Sequence, residues 1–228
     1  MGTLLSLPRF FLTSALLYCF SLSACADPAA SLAALQGNAD FRSLKDMLGV
    51  TFDLRYATSN NFTATNLYGD FNQAFLHKIA ADKLALAAVA LQSQHPGYKF
   101  LIFDATRPRS VQQKLWERVR GTDKQRYVAD PTKGSIHNYG FAVDLSIVDA
   151  EGKELDMGSA FDSFAPISQP VLEQGYLQKG ELSETQLAHR KLLRKLMQDA
   201  GFIQLPLEWW HFDALPSPEV HKLYKIIE

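Results

Sequence analysis

The chain reads as a single α+β domain, a mainly antiparallel sheet flanked by helices, and three observations predict that class. Strand-like alternation and helix-like periodicity are interspersed along its 228 residues rather than sorted into blocks. No glycine-rich phosphate-binding turn follows a strand, as a doubly wound parallel fold would require. No internal repeat of solenoid or propeller period is visible.

The elements follow in order. Residues 1–25 form a leader: Arg9 precedes an apolar run, residues 10–24, that is too short for an ordinary transmembrane helix of about 20 residues. The run ends in Leu22-Ser23-Ala24-Cys25, which resembles the lipobox of bacterial lipoproteins, where the cysteine thiol is acylated. Ala24-Cys25-Ala26 also fits ordinary signal-peptidase cleavage, and a retained membrane anchor is a third reading. Residues 26–48 read as an Ala-rich tether and helix, and residues 49–228 as the main folded domain.

Within that domain, Phe52, Leu54 and Tyr56 alternate with polar residues, so residues 50–56 predict a half-buried strand. The Ala- and Leu-rich stretch 75–91 predicts a helix, closed by His95-Pro96-Gly97. Residues 100–103 predict a short apolar strand, and Ser110 the cap of a helix running to Val119. After a polar loop, residues 141–147 alternate as a two-faced strand. A helix over 185–200 stops at Gly201, residues 209–212 read as a strand, and a short helix follows Pro218.

Composition excludes several functions. The net charge is −1 with no polybasic stretch, so nothing supplies the clustered cations that nucleic acid would need. Both cysteines, Cys19 and Cys25, fall in the leader, which leaves the domain without a disulfide, a cysteine nucleophile or a Cys-ligated zinc. Stability must then come from a packed core, which roughly 200 residues can supply.

Two clusters carry the chemistry. In Ser135-Ile136-His137-Asn138-Tyr139-Gly140-Phe141-Ala142-Val143-Asp144, Asp144 interrupts an apolar strand, where a carboxylate is costly unless paired or bound to a cation. Ala142 and Ser146 on its face leave room for a cation, and the alternative is an ion pair with a buried arginine. In Glu208-Trp209-Trp210-His211-Phe212, the histidine is a candidate ligand and the glutamate a candidate base, with an aromatic core segment as the alternative. Glu208 and His211 stand an odd number of residues apart and would face opposite ways on a regular strand, so a loop or irregularity after Pro206 is required. Together His137, Asp144 and His211 give two imidazoles and one carboxylate, leaving a fourth position open as catalytic zinc needs.

The pattern Ser-x-His-x-x-Gly-x-Ala-x-Asp followed by Glu-x-Trp-His resembles the zinc D-alanyl-D-alanine dipeptidases of the vancomycin-resistance type. Three further stretches carry the resemblance: Asp53-Leu54-Arg55-Tyr56-Ala57-Thr58 with Asn61-Phe62, Phe103-Asp104-Ala105-Thr106-Arg107-Pro108, and Met157-Gly158-Ser159-Ala160-Phe161-Asp162. It implies a zinc D,D-peptidase (hedgehog-like) fold and one Zn2+ on His137, Asp144 and His211. It implies Glu208 as general base, Arg107 as stabiliser of the developing oxyanion, and Asp162 as acceptor of the substrate ammonium. Tyr56 and Ser135 would line the dipeptide site. The expected partner is a small D,D-dipeptide, with a membrane contacted only through a lipid anchor at Cys25 in the cell envelope. A D,D-carboxypeptidase or endopeptidase acting on peptidoglycan stems, and a non-catalytic wall-binding lipoprotein, are the rival readings. The stretch 165–181 matches no motif of the family.

Overall fold

The computed structural model describes residues 1–2 and 27–228; the rest of the leader, including Cys25, lies outside the described residues. In chain order the elements are α1 (Pro28–Ala33), β1 (Phe41–Ser43), β2 (Val50–Phe52), β3 (Phe75–His77), α2 (Lys78–Gln94), β4 (Lys99–Asp104), α3 (Arg109–Val119), β5 (Ala142–Val148), α4 (Glu173–Gln178), α5 (Glu184–Asp199), β6 (Ile203–Gln204), β7 (His211–Asp213) and α6 (Ser217–Leu223). Five strands form one sheet in the order β2-β4-β5-β7-β6, while β1 and β3 make a separate antiparallel pair. Only the β2–β4 pairing in the larger sheet is parallel, so the mainly antiparallel α+β expectation is borne out.

Register decides where the site falls. Asp104 of β4 pairs with Asp144 of β5, and Asp144 pairs with His211 of β7, so the three residues stand abreast across the sheet. Directly opposed residues project from the same face, which turns three distant positions into neighbours. A register shift between Ile102 and Asp104 bends β4 at that end, and such irregularities re-aim side chains near sites.

The helices cover the sheet by burying apolar stripes. Ala80, Ala81, Leu84, Ala87, Ala88 and Leu91 form the inward face of α2, which packs against α5, β3 and β4. Helix α5 starts in a capping box between Ser183 and Gln186 and buries Leu187, Leu193, Leu196 and Met197. Leu32, Leu35 and Leu44, from the segment ahead of β2, belong to the same core.

Several boundaries differ from the sequence expectation. Residues 75–77 are strand rather than helix: β3 pairs with β1, and the extended His77 accepts from the Ile79 amide to cap α2. The strand expected over 50–56 ends at Phe52, because Arg55–Ala57 turn into a 3-10 segment that carries Tyr56 inward. Helix α3 begins at Arg109 with Pro108 at its N-cap position, so Ser110 is the second helical residue rather than the cap. Strand β5 is buried along its whole length, not half-exposed. Trp209 and Trp210 lie in a turn, and strand geometry begins only at His211.

Candidate metal centre and cleft

His137 sits in a 3-10 segment, Ile136–Tyr139, closed by Gly140 in the left-handed region at φ 75. Side-chain and backbone bonds fix this segment to the chain around Arg107. The Ser135 amide donates to Asn138 Oδ1 at 2.7 Å, Asn138 Nδ2 donates to the Arg107 carbonyl at 2.7 Å, and the Arg107 amide donates to the His137 carbonyl at 3.0 Å. Asp144 comes from the middle strand and His211 from the first residue of β7, so each donor has its own rigid support.

The three side chains converge. His137 Nε2 lies 3.1 Å from His211 Nδ1, His211 Nδ1 lies 2.9 Å from Asp144 Oδ1, and Asp144 Oδ1 lies 3.3 Å from His137 Nε2. All three are buried, and they form a metal-type donor group among the described residues. The outer nitrogens are both engaged: His137 Nδ1 donates to the Ala105 carbonyl at 2.6 Å, and His211 Nε2 donates to Asp213 Oδ1 at 2.9 Å. Those bonds fix the tautomers and turn the remaining lone pairs toward one another and toward a carboxylate oxygen. Three acceptors facing inward repel unless a proton or a metal cation sits among them. Ligands around a tetrahedral ion at about 2.0–2.1 Å stand about 3.3 Å apart, close to the edges of this triangle. The donor set therefore fits a divalent metal.

Electrostatics agree with that fit. Burial alone would raise the Asp144 carboxyl, but the His137 and His211 imidazoles outweigh it and hold the group below the usual carboxylate range. Burial works against charge on His211, and Asp213 and Asp144 more than offset it, raising the imidazole above its ordinary value. The site is thus a sink for positive charge.

Around the triangle stand the other nominated residues. Arg107 is buried, with its Nε 2.8 Å and its Nη2 2.7 Å from Asp104 Oδ2, and Nη1 donates to Gln112 Oε1 at 2.9 Å. Burial disfavours its charge, but Asp104 leads the groups that hold the guanidinium cationic. It is therefore an Asp104-paired arginine that also reaches within 3.5 Å of Asp144 Oδ2. Asp104 itself is fully buried and also accepts from the Tyr68 hydroxyl at 2.5 Å.

Glu208 lies on the loop between β6 and β7, which supplies the irregularity its spacing from His211 demands. The Trp209 amide donates to the Ser168 carbonyl at 3.1 Å and the Leu145 amide to the Trp210 carbonyl at 3.1 Å, fastening that loop at the two residues that follow Glu208. Burial pushes the Glu208 carboxyl up to about 8, with Asp144 and Asp162 adding to the rise and His211 opposing it. Asp162 is raised by burial to about 7, although it accepts from the Tyr56 hydroxyl at 3.0 Å and the Phe62 amide at 3.4 Å.

Tyr56, Arg107, Ser135, His137, Asp144, Asp162, Glu208 and His211 all line one cleft of about 300 Å³. Small-ligand sites run from about 300 to 1,000 Å³, so this cleft suits a small polar molecule. The residue missed from the sequence is Asp213. Its position two residues after His211 on a strand puts both on one face, a signal that was legible.

A buried donor triangle that opens on a cleft, beside a fixed cation and carboxylates raised by burial, fits a hydrolytic metal site better than a structural metal knot. Similarity to known proteins narrows the class. The profile of a peptidase family described as D-ala-D-ala dipeptidase matches residues 38–225, and the chain belongs to that family. A D-alanyl-D-alanine dipeptidase of Escherichia coli (strain K12) is 34% identical over 171 residues, covering 75% of this chain and 81% of the relative. One from Enterococcus faecalis (strain ATCC 700802 / V583) is 29% identical over 199 residues, covering 78% and 93%. The hydrolase and family expectations are therefore borne out.

Proposed function

We propose that the protein hydrolyses D-alanyl-D-alanine and related D,D-dipeptides with one zinc ion held by His137, Asp144 and His211. The observation that carries this is the inward-facing triangle of acceptor atoms, each edge between 2.9 and 3.3 Å, in the same cleft as Arg107, Asp162 and Glu208. When bound there, zinc supplies a Lewis acid that polarises the scissile carbonyl and makes water a stronger nucleophile near neutral pH.

The chain's own residues do the rest. Asp162, oriented by Tyr56, accepts the substrate's α-ammonium and fixes the N-terminal end of the dipeptide. Arg107, immobilised by Asp104, presents a permanent positive charge where the carbonyl oxygen gains negative charge. Glu208 takes a proton from the attacking water and delivers it to the amine nitrogen as the C–N bond breaks, releasing D-alanine. Ser135 and Tyr56 shape the walls that keep the backbone of the dipeptide in line.

The test is release of D-alanine by the purified protein with and without zinc, beside Glu208→Ala. Turnover in wild type should depend on zinc and fall by about 10²–10⁴-fold in the variant. Equal turnover in both would refute the assigned base. Comparing free dipeptide with a stem pentapeptide addresses the carboxypeptidase reading, which the leader favours because it takes the enzyme to the wall. A site that pairs Asp162 with a free ammonium should prefer the dipeptide.

The same proposal has the enzyme exported, to the periplasm or as an outer-membrane lipoprotein anchored through Cys25. The lipobox-like Leu22-Ser23-Ala24-Cys25 supports it. Among the described residues no helix is long and apolar enough to cross a membrane. Incorporation of labelled palmitate that disappears in Cys25→Ser is the expected result; equal labelling would argue against acylation there.

A further inference from the structure

Arg190 is an arginine of α5 with only 1% of its surface exposed, and the mechanism above makes no use of it. Its guanidinium ties together parts of the chain that carry different jobs. Nε donates to the Met157 carbonyl at 2.6 Å, Nη1 to the Ile167 carbonyl at 2.9 Å, and Nη2 to Ser159 Oγ at 3.2 Å. Met157 and Ile167 bracket the loop that carries Asp162, so one cation grips both ends of it.

Ser159 extends the grip to a second loop. Its hydroxyl accepts from Trp209 Nε1 at 3.0 Å and lies 2.9 Å from Ser168 Oγ. A hydroxyl has two acceptor positions and one proton. With Arg190 and Trp209 donating, Ser159 must donate to Ser168, and its valence is filled. Trp209 adjoins Glu208, and the Arg190 guanidinium lies 6.0 Å from the Trp209 ring centroid. Glu173 stands 3.6 Å from Arg190 Nη1 and accepts with both oxygens from the single Nη2 of Arg194, whose Nε donates to Gln204 Oε1 at 2.6 Å. The cation is thus compensated without being released from its carbonyl acceptors.

We propose that Arg190, acting through Ser159, is a positioning residue that holds the ammonium-binding loop of Asp162 and the Glu208–Trp209 turn at a fixed separation. This rests on the dipeptidase reading for its kinetic arm only. A planar fork that meets carbonyl and hydroxyl acceptors in different directions is a task for arginine; lysine brings the charge but not the geometry. Small displacements of substrate-positioning groups cost large factors in rate, so the grip sets KM through Asp162 and kcat through Glu208.

The experiment compares wild type with Arg190→Lys, Ser159→Ala, Ser159→Thr and the exposed control Lys195→Ala, each as intact zinc-loaded protein. Amide hydrogen exchange and D-alanyl-D-alanine kinetics are read on the same samples. In Arg190→Lys and Ser159→Ala, exchange over residues 157–168 and 205–210 should accelerate while β4 and β5 keep their protection. KM should rise and kcat fall by about tenfold each, at unchanged zinc content. Ser159→Thr should restore both readouts and Lys195→Ala should match wild type. Unchanged exchange in the two loops overturns the proposal, as does acceleration spread evenly over the chain with only a loss of active fraction. If wild type releases no D-alanine, the dipeptidase reading fails, and the exchange measurement still decides the role of Arg190.

Discussion

Asp162 sits at φ 61, in the left-handed region that costs a non-glycine residue about 1 kcal/mol and that aspartate and asparagine tolerate best. A strained carboxylate raised by burial to about 7 is poorly suited to stabilising a fold and well suited to meeting a cation. Because its folded-state value lies above the ordinary aspartate value of 3.8, the native state holds a proton between those pH values that the unfolded chain has released. Its contribution to stability is therefore present at acid pH and declines as pH rises through that window, by at most about 4 kcal/mol before allowance for partial exposure. Asp162→Asn keeps the backbone and removes the charge. The variant should melt higher than wild type at pH 8 and alike at pH 4, while KM for a free dipeptide rises by about 10- to 100-fold. In wild type, substrate binding should weaken as pH falls below about 7, when the carboxyl takes up its proton. An unchanged KM in Asp162→Asn, measured across that range, would remove the ammonium-binding role.

At the scale of elements, the 3-10 segment that presents His137 depends on the glycine that ends it. A Cβ built at Gly140 would lie 2.6 Å from Phe41 Cε1, 3.0 Å from the His77 nitrogen and 3.0 Å from Thr106 Oγ1, and its φ is 75. Gly140→Ala should therefore lose about 2 kcal/mol or more in denaturant unfolding and bind zinc more weakly, since His137 moves with the turn. Gly152→Ala is the matched comparison: its φ is 82, but its Cβ would meet nothing within 4 Å, so only about 1 kcal/mol should be lost. Equal losses at the two positions would show that the contacts at Gly140 carry no weight.

The same elements explain what the sequence could and could not reveal. Alternation around Asp144 was legible because β5 has a strict period of two, and Glu208 was legible as off-strand from parity alone. The β1–β3 pair was not. Phe75, Leu76 and His77 run straight into the helical pattern of α2, and their partner β1 is three largely exposed residues whose only reason to be a strand is that pairing. Burial of both faces of β5 was hidden for a related cause: what covers a strand is set by distant segments, not by its own pattern.

For the whole molecule, the metal site closes the fold on itself. His137, Asp144 and His211 come from a turn, the central strand and a strand near the C-terminus, so a cation held by all of them joins segments that the unfolded chain keeps far apart. Without a metal, two imidazoles and a carboxylate crowd one point and depend on a shared proton to offset their repulsion, a proton that metal binding displaces. The core is large enough to stand without metal, so chelation should lower the melting temperature rather than unfold the protein at 25 °C. At zinc about 1,000-fold above its dissociation constant, linkage gives about 4 kcal/mol of added stability, or on the order of 10 °C for a domain of this size. His211→Ala should abolish the rise altogether. Asp213→Ala removes the acceptor that holds the His211 ring, so it should weaken zinc binding by about 10- to 100-fold and give a smaller rise at the same zinc concentration. Melting curves that superimpose in zinc and in chelator, or an Asp213→Ala curve that rises as far as wild type at sub-saturating zinc, would mean that these side chains meet for some purpose other than holding a metal.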